Sequence, residues 1–169
     1  MKRLAVLTIV LVLAALAWAW ADEQKQMGMA SGQKPDHIML IEPELKWVDA
    51  PPALPSGAKL AVLEGDPAQA GPFTMRIKVP ANYKVAPHWH PADEHVTVIS
   101  GGFYMGLGDK FDEKVMKELT PGGFAVMATG TRHFAMTKKE TVVQVHGIGP
   151  WGINYVNPAD DPRQAKVSK

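Results

Sequence analysis

From residue 59 onward the chain alternates short apolar runs with turn residues. Leu60 to Leu63, Phe73 to Val79, Val96 to Ile99, Phe103 to Leu107, Phe124 to Met127 and Thr141 to Val145 each read as a β-strand. Gly65-Asp66-Pro67, Gly71-Pro72, Gly101-Gly102, Pro121-Gly122-Gly123 and the stretch from Gly147 to Gly152 separate them. Short strands divided by Gly/Pro turns predict an all-β sandwich or barrel, in which closure removes exposed edges. His37 to Leu45 reads as an edge strand. The proline-rich stretch Asp49 to Ser56 reads as a linker, because proline has no N–H to give to a central ladder. Lys110 to Leu119 is the one helix candidate, a solvated connection in which Glu113 and Lys117 form an i to i+4 pair. No internal repeat and no second domain is visible.

The first 21 residues have a different pattern. Lys2 and Arg3 precede an apolar run from Leu4 to Trp20 broken only by Thr8, and Ala19-Trp20-Ala21 supplies an A-x-A site. This predicts a secretory signal cleaved before Asp22 and a periplasmic or secreted protein with no stable membrane association after cleavage. An uncleaved anchor is the competing reading, since the run sits at the short edge of the roughly 17 to 25 residues that span a bilayer. The polar Asp22-Glu23-Gln24-Lys25 directly after the site favours cleavage. The expected division is a signal at 1–21, an N-terminal arm and Pro-rich linker at 22–57, a β-barrel at 58–157 and a C-terminal tail at 158–169.

Composition narrows the picture further. The 169 residues contain no cysteine, which excludes disulfides and a lipid-anchored cysteine, so stability must come from the core and a bound metal. Eighteen basic residues face 17 acidic ones; without Lys2 and Arg3 the count is 16 against 17, a formal charge of −1. That balance, with no basic cluster, predicts no nucleic-acid partner.

The candidate chemistry lies in His88, His90 and Glu94, spaced H-x-H-x-x-x-E, and in His133, which follows a glycine turn. Side chains of an extended strand alternate sides, so His88 and His90 face one way and Trp89 the other. Glu94 keeps the same parity. Nitrogen donors joined by one hard oxygen suit Mn, Fe, Ni, Cu or Zn better than Ca or Mg.

The two segments resemble the paired motifs of the cupin superfamily, G-x5-H-x-H-x3,4-E-x6-G and G-x5-P-x-G-x2-H-x3-N. The chain matches at His88, His90, Glu94, Gly101, Gly122, Gly130 and His133. It departs at Asn82 for the opening glycine, Ala128 for the proline and Thr137 for the closing asparagine. All three are framework positions, and Asn is the non-glycine residue that most readily accepts a positive φ. The resemblance implies a cupin-type β-barrel (a double-stranded β-helix, or jelly roll) over about residues 58 to 157. It also implies a mononuclear site with His88, His90, Glu94 and His133 as metal ligands, and a homodimer in which an N-terminal strand packs on the partner. In cupins of the dioxygenase kind the ligating Glu also acts as a base, which would make Glu94 the catalytic residue.

Three neutral imidazoles and one carboxylate on a divalent ion give a site of net charge about +1, able to take an anionic oxygen such as an enolate or phenolate. Imidazoles ligate only when neutral, so occupancy is expected to fall below about pH 6. Gln144 and His146 share one face of their strand, opposite Val143 and Val145, and that face looks either into the cavity or out to water. Tyr104 is undecided in the same way. His95, opposite in parity to Glu94, is expected on the other sheet surface and bonded to a carbonyl; Arg132 either meets an anionic substrate or is a solvated rim charge. Three functions remain open: an exported small-molecule metalloenzyme, dioxygenase-like or otherwise; a non-catalytic module that binds or senses a metal or small ligand; and a structural barrel whose metal only stabilises it.

Overall fold

The computed structural model describes residues 37–164. The predicted signal at 1–21, the arm at 22–36 and the end of the tail lie outside the described residues. Among those described, no helix is long and apolar enough to cross a membrane.

Eleven strands carry the fold: β1 (Val48–Asp49), β2 (Lys59–Glu64), β3 (Gly71–Val79), β4 (Lys84–Trp89), β5 (Glu94–Ser100), β6 (Phe103–Leu107), β7 (Lys117–Leu119), β8 (Phe124–Met127), β9 (His133–Thr137), β10 (Thr141–Gly149) and β11 (Asn154–Tyr155). They form two antiparallel sheets, one of six strands in the order β1-β2-β3-β10-β5-β8 and one of five in the order β11-β4-β9-β6-β7. The architecture is all-β. Strict alternation in β3 and β10 turns Phe73, Met75, Ile77, Val79, Val143 and Val145 inward, where they meet Val96, Val98 and Ala135 in the core.

The six strands expected from alternation are present. Of the two that carry the histidines, β4 was expected only as the extended segment around His88 and His90, and β9 was not expected, because it does not alternate. All five residues of β9 are buried, and β4 carries a register irregularity between Val85 and His88. His37 to Leu45 is not a strand: it holds a single 3-10 turn at Glu42–Glu44, and the edge strand is the later Val48–Asp49. Lys110 to Leu119 is not a helix either. Asp112 caps one 3-10 turn by accepting from the Lys114 N–H at 2.9 Å, after which Lys117–Leu119 pairs with β6. Ten residues without an apolar stripe give too little to outweigh strand pairing. Glu113 therefore bonds Lys84 at 2.7 Å and not Lys117.

The three departures from the motif framework have physical accounts. Asn82 is the only non-glycine described residue with positive φ, at 60°. Thr137, wholly buried, does the work of a polar brace: its hydroxyl donates to the Pro80 carbonyl at 2.7 Å and accepts from the Tyr83 N–H at 3.2 Å. Ala128 opens a turn closed by the Thr131 N–H to the Ala128 carbonyl at 2.9 Å, with Gly130 at φ 77° where L side chains are strained.

Candidate metal centre

The turn at Ala128 to Thr131 docks the second motif onto the first. Gly130 N–H donates to the His90 carbonyl at 2.9 Å, and Asp93 accepts from both the N–H and the hydroxyl of Thr129 at 2.7 and 2.8 Å. His133, first residue of β9, is the antiparallel partner of His88 on β4, so their rings lie 4.2 Å apart. The β4 irregularity lets Val85 and His88, three apart, both face inward, which a regular strand forbids.

Glu94 arrives by another route. The chain leaves the five-stranded sheet after Trp89, turns through Pro91 and Ala92, and enters the six-stranded sheet at Glu94. Parity along one continuous strand therefore named the right residue for the wrong reason. His90 and Glu94 converge because the chain crosses between sheets there.

Each imidazole is oriented from behind. The Nδ1 atoms lie 2.7 Å from the Ala86 carbonyl for His88, 2.6 Å from that of Gly152 for His90, and 2.9 Å from that of Thr131 for His133. A carbonyl only accepts, so each Nδ1 carries the proton and each Nε2 presents a lone pair. Donor atoms of the three histidines lie within 4.8 Å of one another. The carboxylate of Glu94 completes the group, with Oε1 3.5 Å from His90 Nε2 and Oε2 3.3 Å from His133 Nε2. All four residues are buried, none more than 7% exposed.

Lone pairs thus face lone pairs in a water-poor interior. His90 Nε2 is buried with no hydrogen-bond donor to satisfy it. Such an arrangement calls for a cation at its centre, either protons or a metal. Burial, followed by the neighbouring His133 and His90, pushes the His88 pKa down to about 3, which disfavours protons. Burial alone would raise the Glu94 pKa; the facing His133 and His90 reverse that, and the net direction is down. Donors about 2.0 to 2.2 Å from one ion stand about 3 to 3.5 Å from each other, which matches the Nε2 to carboxylate spacings. The donors fit a divalent transition metal.

The four side chains line a cavity of about 60 Å³ inside the barrel, otherwise walled mainly by apolar residues such as Ile77, Val96, Met105 and Val145. Gln144, His146 and Tyr104 do not line it. Gln144 accepts from Arg76 Nε at 3.3 Å, and His146 lies in a separate outer cleft. Their strand-mates Val143 and Val145 took the inward face because the core at that level is apolar. Tyr104 sits under the Lys138 ammonium, 4.6 Å from its ring centroid, while its neighbours Phe103 and Met105 line the cavity. His95 faces outward as expected, but its ring stacks on His146 at 4.9 Å and its Nδ1 has no carbonyl partner. Arg132 pairs with Asp109 at 2.7 Å, both about half exposed, and is a rim charge.

Sequence reading missed Trp151, taken as part of a turn. Its ring stacks on His90 at 4.3 Å and 18°. No local pattern signals a contact between residues so far apart.

Comparison with known proteins supports the fold. A family model described as a domain of unknown function, DUF4437, matches residues 19–152. No curated protein matches the chain in sequence. Among solved structures, the polyketide cyclase RemF from Streptomyces resistomycificus is similar at 19% identity, TM-score 0.59, over 80% of this chain and 93% of that one. A putative acetylacetone dioxygenase from Methylibium petroleiphilum PM1 is similar at 16% identity, TM-score 0.57, over 82% and 99%. An RmlC-like cupin from Shewanella frigidimarina NCIMB 400 is similar at 16% identity, TM-score 0.54, over 70% and 96%. With two antiparallel sheets enclosing a buried three-His, one-Glu group, the chain has the cupin fold and belongs to the DUF4437 family.

Proposed function

We propose that this protein is a mononuclear metalloenzyme acting on a small organic molecule, with the metal held by Nε2 of His88, His90 and His133 and by the Glu94 carboxylate. The observation that carries the reading is the group of buried lone pairs facing one centre in the wall of an otherwise apolar cavity. A divalent transition metal there supplies Lewis-acid chemistry and, if redox-active, dioxygen chemistry. The protein's own part is orientation and proton handling. Three backbone carbonyls fix the imidazoles, and apolar walls exclude bulk water. Glu94, with its pKa lowered by the facing His133 and His90, is ionised, which suits a metal ligand, and its carboxylate is the acceptor nearest to a molecule bound beside the centre. The reaction class we favour is oxygen insertion or isomerisation; two proteins that share the fold, a polyketide cyclase and a putative acetylacetone dioxygenase, are compatible with small organic substrates.

Export is part of the proposal, on the strength of the pattern in residues 1 to 21. Metal would then be acquired outside the cytoplasm, where the affinity order favours Zn and Cu over Mn and Fe. Elemental analysis of the purified protein is expected to give about one metal per chain with zinc prominent, and stoichiometric iron alone would count against that order. Oxygen uptake and product analysis against phenols, diketones and sugars test the enzyme directly. One observation favours a second reading, a non-catalytic ligand-binding module: among the described residues the only acid or base lining the cavity besides Glu94 and the three histidines is Tyr83, whose hydroxyl donates to the Pro55 carbonyl at 2.6 Å. Tight binding without turnover across that panel would select it.

A further inference from the structure

We propose that Trp151 is the ligand-orienting donor of this cavity, and that the ligand is a compact, largely apolar molecule presenting an anionic or carbonyl oxygen. The inference rests on the metal-centre reading and narrows it to a ligand class.

The argument is an inventory of donors. Of the polar residues lining the cavity, Tyr83 commits its hydroxyl proton to the Pro55 carbonyl at 2.6 Å. The three histidines commit their Nδ1 protons to Ala86, Gly152 and Thr131. Glu94 is an acceptor. Trp151 is left: its Nε1 is buried and has no hydrogen-bond partner. An indole N–H can only donate, and buried tryptophans normally find an acceptor because an unmet N–H is costly. Its ring is also fixed, held against His90 at 4.3 Å and tilted on Phe73 at 5.8 Å, while the Trp151 backbone N–H donates to the Pro67 carbonyl at 2.7 Å. Gly152, the next residue, supplies the carbonyl that orients His90. One two-residue segment thus positions a metal ligand and carries the cavity's free donor.

The walls state what the ligand lacks. Ile77, Val79, Val96, Met105, Val143 and Val145 offer no partner to a hydroxyl. A sugar would bury several hydroxyls against one donor and few acceptors, Glu94 and the Tyr83 oxygen among them. An ammonium would face a centre of net positive charge. A β-dicarbonyl or a phenolate offers oxygen to a positive centre and to an indole N–H, and leaves carbon for the walls.

The test uses the full chain loaded with Zn²⁺, with pentane-2,4-dione as probe and xylose and tert-butylamine as comparators. The Trp151 indole N–H resonance, assigned by through-space contacts to His90, is expected to shift on saturation with the dione. Trp151→Phe keeps the stacked ring and is expected to retain one zinc per chain while binding the dione about tenfold more weakly, the loss typical of one hydrogen bond to an anionic oxygen. A resonance that does not move, or a Phe variant that binds as the wild type does, means that the indole N–H is satisfied elsewhere and overturns the proposal. Xylose or tert-butylamine binding as tightly as the dione overturns the ligand class. Wild-type chain that takes up no zinc removes the centre itself, a failure visible in metal analysis before any ligand is added.

Discussion

Burial of His88 should make the metal-free protein sensitive to mild acid, by an amount the structure lets us work out. His88 is 5% exposed, and its pKa is pushed down from 6.5 to about 3, first by burial and then by His133 and His90. A base with a lowered folded pKa contributes fully to stability above 6.5; the contribution fades as pH falls, because the unfolded chain takes up a proton that the folded chain refuses. At pH 5 the unfolded side chain lies about 1.5 pH units below its pKa and is almost wholly protonated, while the folded one is still neutral. At 1.36 kcal/mol per unit that costs about 2 kcal/mol, rising to about 3 at pH 4 and levelling near pH 3. Urea unfolding of chelator-stripped protein at pH 7, 6 and 5 reads this as a midpoint shift of about 1 M for a slope of about 2 kcal/mol/M. His88→Leu removes the titrating group and keeps an apolar filler, so its pH slope should be shallower by that amount. Parallel loss of stability in wild type and His88→Leu between pH 7 and 5 would refute the reasoning.

Further outcomes follow from single contacts. His133→Ala should abolish metal binding while the circular dichroism of the barrel persists, since the ring meets the centre from one side and the strand is held by its ladder; full metal content in that variant would remove His133 from the ligand set. Gly101→Ala should destabilise by on the order of 3 kcal/mol in chemical denaturation, combining φ of 86° with a Cβ that would collide with the Glu140 carbonyl and Thr141. Thr137→Val, equal in shape, should cost about 1 to 3 kcal/mol in the same assay, because the Pro80 carbonyl and the Tyr83 N–H both lose their partner. Lys84→Ala should change the melting free energy by less than about 1 kcal/mol, since its ion pair with Glu113 is half exposed on both sides.

Much of the centre was legible in the sequence, because its constraints are local. H-x-H places two imidazoles within reach of each other, and a glycine turn before His133 starts a strand at a defined residue. The Nδ1 partners of His88 and His133 are carbonyls two residues back, so those rings are oriented almost by their own segments. Turn glycines and alternating apolar runs similarly fixed the all-β class and six of its strands. Strand period alone could not place the rest. The β4 irregularity rephases Val85 and His88, and a change of sheet, not parity, delivers Glu94. Gln144 and His146 lost the inward face to Val143 and Val145, a choice that only packing against the opposite sheet makes. His90 is oriented by Gly152 and covered by Trp151, contacts across some sixty residues of chain. The sequence by itself therefore determined which donors exist and which can pair locally. Only tertiary structure decided which side of each strand is interior, because that depends on what the facing sheet offers, and no period within one strand contains that information.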